Sequence, residues 1–175
     1  MNKKTQYIAE SGVIAALYVI LTYLQVLIFP ESVYAAVQFR ASEFLMIMCI
    51  YRKPAIAGLT VGCMISNILN AALPIDIVIG SLATLLAGIS MYILRNVRIF
   101  KLPILSALMP VLFNGLLVGF EISYFLTDVF TLSSFLICAG EVALGELGVL
   151  ILLGLPFSVY LEKGDRINKI FKNQI

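Results

Sequence analysis

The sequence predicts an all-α integral membrane protein: six transmembrane helices in one compact bundle covering residues 1–175, with both termini cytoplasmic. Three observations carry this. The chain is 61% hydrophobic and 13% charged, with a mean hydropathy of +1.03, too little polar surface for a soluble globule. Its apolar runs repeatedly approach the length of a bilayer crossing. All of its 12 basic residues except Arg40 fall on one side when those runs are threaded back and forth, as cytoplasmic basic residues do.

The spans follow in order. The first covers about 7–29. Met1-Asn2-Lys3-Lys4 before an apolar run resembles a signal peptide, but the run outlasts a signal-peptide core, so it reads as a retained span. The others fall at about 36–51, 54–73, 75–94, 102–126 and 131–161. The second is short. The sixth is long enough that its first turns lie along the outer interface or the helix tilts strongly. Pro30, Pro54, Pro74 and Pro103 sit at or beside junctions, where a missing N–H costs least. Lys3 and Lys4, then Arg52 and Lys53, then Arg95, Arg98 and Lys101, then Lys163, Arg166, Lys169 and Lys172 share the cytoplasmic side, which requires an even number of spans. Glu31, Glu43, Asp76, Glu121 and Asp128 fall near outer ends, Glu31 and Asp128 reading as loop acids, while Glu141 and Glu146 lie within the sixth span.

Polar groups inside a span are expensive unless they pair or meet a ligand, and this directs attention to Val37-Gln38-Phe39-Arg40-Ala41-Ser42-Glu43. On a helix Arg40 and Glu43 share a face, free to pair or to hold a common ligand. Asn67 and Asn70 share a face of the third span, Asp76 opens the fourth, and Asn114 and Glu121 lie on one stripe of the fifth. Each asparagine alone reads as interhelical glue. Glu141 is harder to dismiss, because an unpaired carboxylate in hydrocarbon must protonate or find a donor. Glu146 projects about 140° away from it, so the two do not face one pocket together. The reading takes Glu141 as the pocket residue and leaves Glu146 unassigned.

Small residues at spacing four let helix backbones approach: Ser11 with Ala15, Gly12 with Ala16, Gly58 with Gly62, Gly80 with Thr84 and Gly88, and Gly115 with Gly119. Most read as packing inside the bundle; on the first span they also offer a smooth surface for a partner. Cys49, Cys63 and Cys138 have no CxxC spacing and read as small packing residues. The absence of histidine removes imidazole metal sites and relays, and no metal or nucleic-acid partner is expected. No GxxxxGK[ST], GxSxG or HExxH pattern occurs, so the chain holds no nucleotide loop or familiar catalytic grouping, and any ATP is used by separate subunits.

Gln38-Phe39-Arg40-Ala41-Ser42-Glu43, then Gly62-Cys63-Met64-Ile65-Ser66-Asn67, the stretch from Asp76 to Leu86, Asn114-Gly115-Leu116-Leu117-Val118-Gly119 and Gly140-Glu141 resemble, in order and spacing, the motifs of the QueT family. These are substrate-binding S components of energy-coupling factor (ECF) transporters, associated with queuosine precursors. The resemblance implies a six-helix bundle in the bacterial cell membrane that binds its solute near the outer face under the loop between the first two helices. It implies as partners a transmembrane coupling protein of the EcfT type and two ABC-type ATPases. The small residues Ser11, Gly12, Ala15 and Ala16 resemble the AxxxA surface by which S components dock on the coupling protein.

A 7-deazaguanine presents two N–H donors, an O6 acceptor and, in the aminomethyl form, a cationic amine. Unmet polar groups in a closed pocket cost heavily. The implied assignment gives Glu141 the base edge, Arg40 or Gln38 the O6 atom, Glu43 or Asp76 the amine, Asn67 and Asn114 the remaining contacts, and Phe39 the ring face. The function expected is therefore solute capture for an ATP-driven importer, not enzymatic turnover. The alternatives are a stand-alone proton-coupled carrier of a small heterocycle and, further off, a membrane-embedded enzyme.

Overall fold

A computed structural model of the chain describes residues 2–29, 39–70, 74–100, 102–127 and 129–163. Gln38, Glu31, Asp128, Lys101, Arg166, Lys169 and Lys172 lie outside the described residues, as do 30–38 before the second helix and 71–73 at the end expected for the third.

Among the described residues the protein is helical, with six helical segments: α1 (Lys3–Ile28), α2 (Ala41–Tyr51), α3 (Lys53–Asn70), α4 (Asp76–Asn96), α5 (Ile104–Phe125) and α6 (Leu132–Glu162). Four of them, α1, α4, α5 and α6, are long and apolar enough to cross a membrane. α1 starts on Asn2, whose side chain accepts from the Lys4 N–H at 3.4 Å, so the helix begins four residues before the span expected from hydropathy. α6 starts on Thr131, which exchanges hydrogen bonds with Ser134 in a capping box.

α1 packs on α3, α3 on α4, α4 on α5 and α5 on α6, while α2 fills the space among α1, α3, α4 and α6. Helices in lipid gain little from burying apolar surface against one another, so close approach and hydrogen bonds decide which faces meet. A Cβ on Gly58 would lie 2.6 Å from the Ser11 carbonyl oxygen, and one on Gly62 would lie 3.1 Å from the Ala15 carbonyl oxygen. Gly119 meets the Ala139 backbone in the same way, with 2.5 Å to its Cα. The small residues at spacing four thus build the α1–α3 and α5–α6 crossings.

Three local departures from ideal helix matter. α2 is seven residues of 3₁₀ helix followed by four of α-helix, and Arg40 ahead of it is extended, at φ −99° and ψ 98°. The expectation of a helix from residue 36 with Arg40 and Glu43 on one face is corrected here: Arg40 lies outside the helix, because its side chain is drawn toward α3 and α4. α5 breaks at Leu108, where Pro110 has no N–H for the Ser106 carbonyl. α6 contains a π-bulge at Leu150–Gly154, ahead of Pro156, whose ring would otherwise crowd the Leu152 carbonyl.

At the end of the bundle holding the start of α1, Arg52 donates twice to Glu10, Nε to Oε1 at 2.8 Å and Nη2 to Oε2 at 2.7 Å. Tyr51 donates to Glu162 at 2.7 Å and lies 3.0 Å from the Ser158 hydroxyl, and Arg98 pairs with the same Glu162. Arg95 stacks on the Tyr92 ring, 3.9 Å from its centroid. These contacts tie α2, α4 and α6 together at that end.

Candidate functional site

The site is built around the segment Phe39–Glu43. α1 holds it with three polar residues on one helical face, Tyr18, Thr22 and Gln25. The Gln25 amide spans the start of α2, donating to the Phe39 carbonyl and accepting from the Ala41 N–H at 2.7 Å. The Thr22 hydroxyl is 2.7 Å from the Ser42 hydroxyl, and Tyr18 donates to Glu43. With the backbone and side chains of the segment fixed in this way, Arg40 reaches across the bundle. Its Nη1 donates to Asn67 of α3 at 3.2 Å, and its Nη2 meets Asp76 of α4 at 3.4 Å. Asn67 in turn donates to the Asp76 carbonyl at 2.9 Å. Gly80, one turn into α4, leaves the room these two need: a Cβ there would lie 2.7 Å from Asn67 Nδ2 and 3.0 Å from Asp76 Oδ1.

On the other wall, Asn114 of α5 donates to Glu146 of α6 at 2.7 Å. Arg40, Glu43, Cys63, Gly80, Thr84, Asn114, Val118, Val142 and Glu146 line one cavity between these walls. Its volume is about 20 Å³, room for one or two waters when one water needs roughly 10–15 Å³. A solute larger than one or two waters therefore fits only when the lining moves apart.

The electrostatics are lopsided. One guanidinium serves Glu43, Asp76 and Glu146, and Glu121 of α5, 2% exposed, lies within electrostatic reach of Asp76 and Arg40. Among the described residues, Arg40 Nε, Glu43 Oε2, Asp76 Oδ1 and Glu121 Oε2 are buried without a hydrogen-bond partner. Buried polar atoms in this condition are costly and are met by a water or by a polar ligand.

Of the residues expected at the site, Arg40, Glu43 and Asn114 line the cavity, while Asn67 and Asp76 stand behind Arg40. Phe39 lies against Gly148 of α6, 3.6 Å from where a Cβ would sit, and not on the cavity wall. Glu141 is half-buried and off the lining, and Glu146 takes the inward place expected of it. The helix rotation explains the exchange. Ala139 and Ala143 are pressed against Gly119 and Gly115 of α5, which turns the buried stripe Cys138, Val142, Gly145, Glu146 and Val149 inward. That stripe was the signal available in the sequence. Tyr18, Thr22 and Gln25 were also missed, although polar residues at spacings of four and three on an apolar span carry the same message. Cys49, Cys63 and Cys138 are buried free thiols, and Cys63 touches the cavity.

The small residues of α1 divide into two faces. The Ser11 hydroxyl donates to the Pro54 carbonyl at 2.9 Å, and Ala15 is buried against Gly62. Gly12 and Ala16 are exposed, with nothing within 4 Å of a Cβ built on Gly12.

A bundle of apolar helices around a cavity lined by charged and amide side chains is an arrangement suited to carrying a solute through a membrane. The family model described as QueT transporter matches residues 8–163, and the chain belongs to that family, one of transporters and not of enzymes. It is a multi-pass protein of the bacterial cell membrane. A similar protein from Lactococcus lactis subsp. cremoris (strain MG1363), named Queuosine precursor transporter QueT, is 40% identical over 84 residues, 48% of each chain. The match thus spans about half the length of that relative. No solved structure matches the chain.

Proposed function

We propose that the chain is the solute-binding S component of an ATP-driven ECF importer and captures a queuosine precursor, a 7-deazaguanine, from the outer side. The observation that carries this reading is the convergence of Arg40, Glu43, Asn114 and Glu146 from opposite walls on one cavity inside a membrane bundle. The relative's name and the family support the substrate class. Both termini face the cytoplasm in this reading, with the Arg52–Glu10 end inward and the Arg40 end outward, in line with the basic-residue asymmetry.

Glu146, held by Asn114, takes the N–H edge of the base in place of Glu141. Arg40, steadied by Asn67 and Asp76, donates to O6, and Glu43 receives the amine. With one arginine among four carboxylates, the site favours a small cationic 7-deazaguanine, the aminomethyl form, over the neutral nitrile. Energy comes from a coupling protein of the EcfT type and two ABC-type ATPases. The exposed Gly12 and Ala16 form the face of α1 that docks on the coupling protein, while Ser11 and Ala15 serve the α1–α3 crossing.

The test is binding of the aminomethyl, nitrile and queuine forms, with riboflavin and thiamine as controls, to the purified protein in detergent. Binding of the aminomethyl form, strongly weakened in Arg40→Ala, is the expected result. Equal binding of riboflavin, or binding of no 7-deazaguanine, overturns the substrate assignment.

A further inference from the structure

Below the first cavity lies a second, walled by apolar side chains such as Phe44, Met91 and Leu150 and by two charged ones, Glu43 and Glu146. Those two, Glu43 and Glu146, also line the first cavity, so the pair forms the partition between a polar chamber and an apolar one. The lower cavity is about 10 Å³, the size of a single water. Glu43 is 5% exposed and its Oε2 has no hydrogen-bond partner, while its Oε1 accepts from Tyr18. Glu146, 8% exposed, accepts from Asn114 through Oε1.

The groups around the pair do not supply a second positive charge. α1 brings Tyr18; the segment before α2 brings Arg40, and α2 itself Cys49; α3 brings Cys63, α4 Thr84 and α5 Asn114, while Asp76 and Glu121 stand beyond Arg40. Arg40 is the one cation among them and is already engaged with Asp76 and Asn67. Two buried carboxylates that line the same two cavities, one of them apolar, do not both ionise without a compensating charge.

We propose that Glu43 and Glu146 share a proton in the ligand-free protein and give it up when a cationic ligand binds, so that the partition is a proton site exchanged against the ligand's charge. This rests on the reading of the ligand as a cationic 7-deazaguanine. The balance is one for one. The ligand's ammonium enters beside the pair carrying one positive charge, the shared O–H bond breaks, and the proton leaves for bulk water through the outer cavity. The site's net charge is the same before and after.

Two measurements test this. Calorimetric titration of the purified protein with 7-aminomethyl-7-deazaguanine, in buffers of different ionisation enthalpy at one pH, should show about one proton released per ligand, with Kd tightening about tenfold per pH unit over the range of release. Binding with no buffer dependence and a flat Kd overturns the proposal while leaving the substrate reading intact. Infrared spectroscopy of the ligand-free protein should show a protonated-carboxyl band at neutral pH that Glu43→Gln and Glu146→Gln each remove and Glu141→Gln leaves. Absence of that band, or its survival in both partition variants, overturns the proposal even if no 7-deazaguanine binds.

Discussion

Two arginines meet carboxylates at opposite ends of this bundle, and they are held very differently. Arg52 grips Glu10 with two parallel hydrogen bonds of 2.8 and 2.7 Å. Arg40 reaches Asp76 through one contact of 3.4 Å, shares itself with Asn67, and leaves its Nε and one Asp76 oxygen without partners. Both pairs are largely buried, the side chains being 11% and 12% exposed in the first and 17% and 12% in the second. Burial alone therefore does not separate them. Completeness does: the bidentate fork is a finished structural clamp, whereas the stretched pair keeps hydrogen-bonding capacity in reserve. In a membrane, where each unmet group is costly, such reserve is what the proposed ligand would use.

This contrast can be broken at several points. The largest effect is expected from Arg40→Ala, which should weaken binding of the aminomethyl base more than a hundredfold, about 3 kcal/mol, with the folded bundle retained; a titration that leaves Kd unchanged would make the stretched pair structural after all. Arg52→Ala should do the reverse, costing about 3 kcal/mol of stability by stranding Glu10 and leaving Kd unmoved. A double-mutant cycle with Glu10→Ala on thermal unfolding should then recover a coupling between the two. Glu146→Gln should weaken binding about tenfold, the scale of a hydrogen bond to a charged group, while Glu141→Gln stays at the parent affinity. The opposite ranking would restore the expectation from the sequence. Gly12→Leu should change neither stability nor Kd measurably but should abolish co-purification with the coupling protein, and Ala15→Leu should instead destabilise the α1–α3 crossing by about 1–3 kcal/mol.

The fold was legible because lipid imposes a harsh rule: runs of apolar residues and prolines at their ends predict six helices, and small residues at spacing four mark where backbones approach, though not which helices meet. The site was half legible. Arg40, Glu43 and Asn114 stood out as charges and amides in an apolar sequence, and all three reach the cavity. Two things did not show. The segment Phe39–Glu43 looked like regular helix, but its start is set from outside by the Gln25 side chain, a tertiary contact that no local pattern encodes. The choice between Glu141 and Glu146 depended on the rotation of α6, which is fixed by two glycines on a different helix.

The π-bulge of α6 sets the angular phase between the two ends. In an unbroken α-helix Ser158, twelve residues past Glu146, would point about 120° away from it at roughly 100° per residue. A bulge behaves as one residue added to a turn and takes back about 100° of that, so Ser158 lies only about 20° from the direction of Glu146. The same helix can then offer Glu146 to Asn114 and Ser158 to Tyr51. Straightening the helix with all its residues kept would turn its last two turns by about 100° and leave either the cavity or the Tyr51 clamp without its side chain, whereas deleting one residue between 150 and 154 would restore the phase.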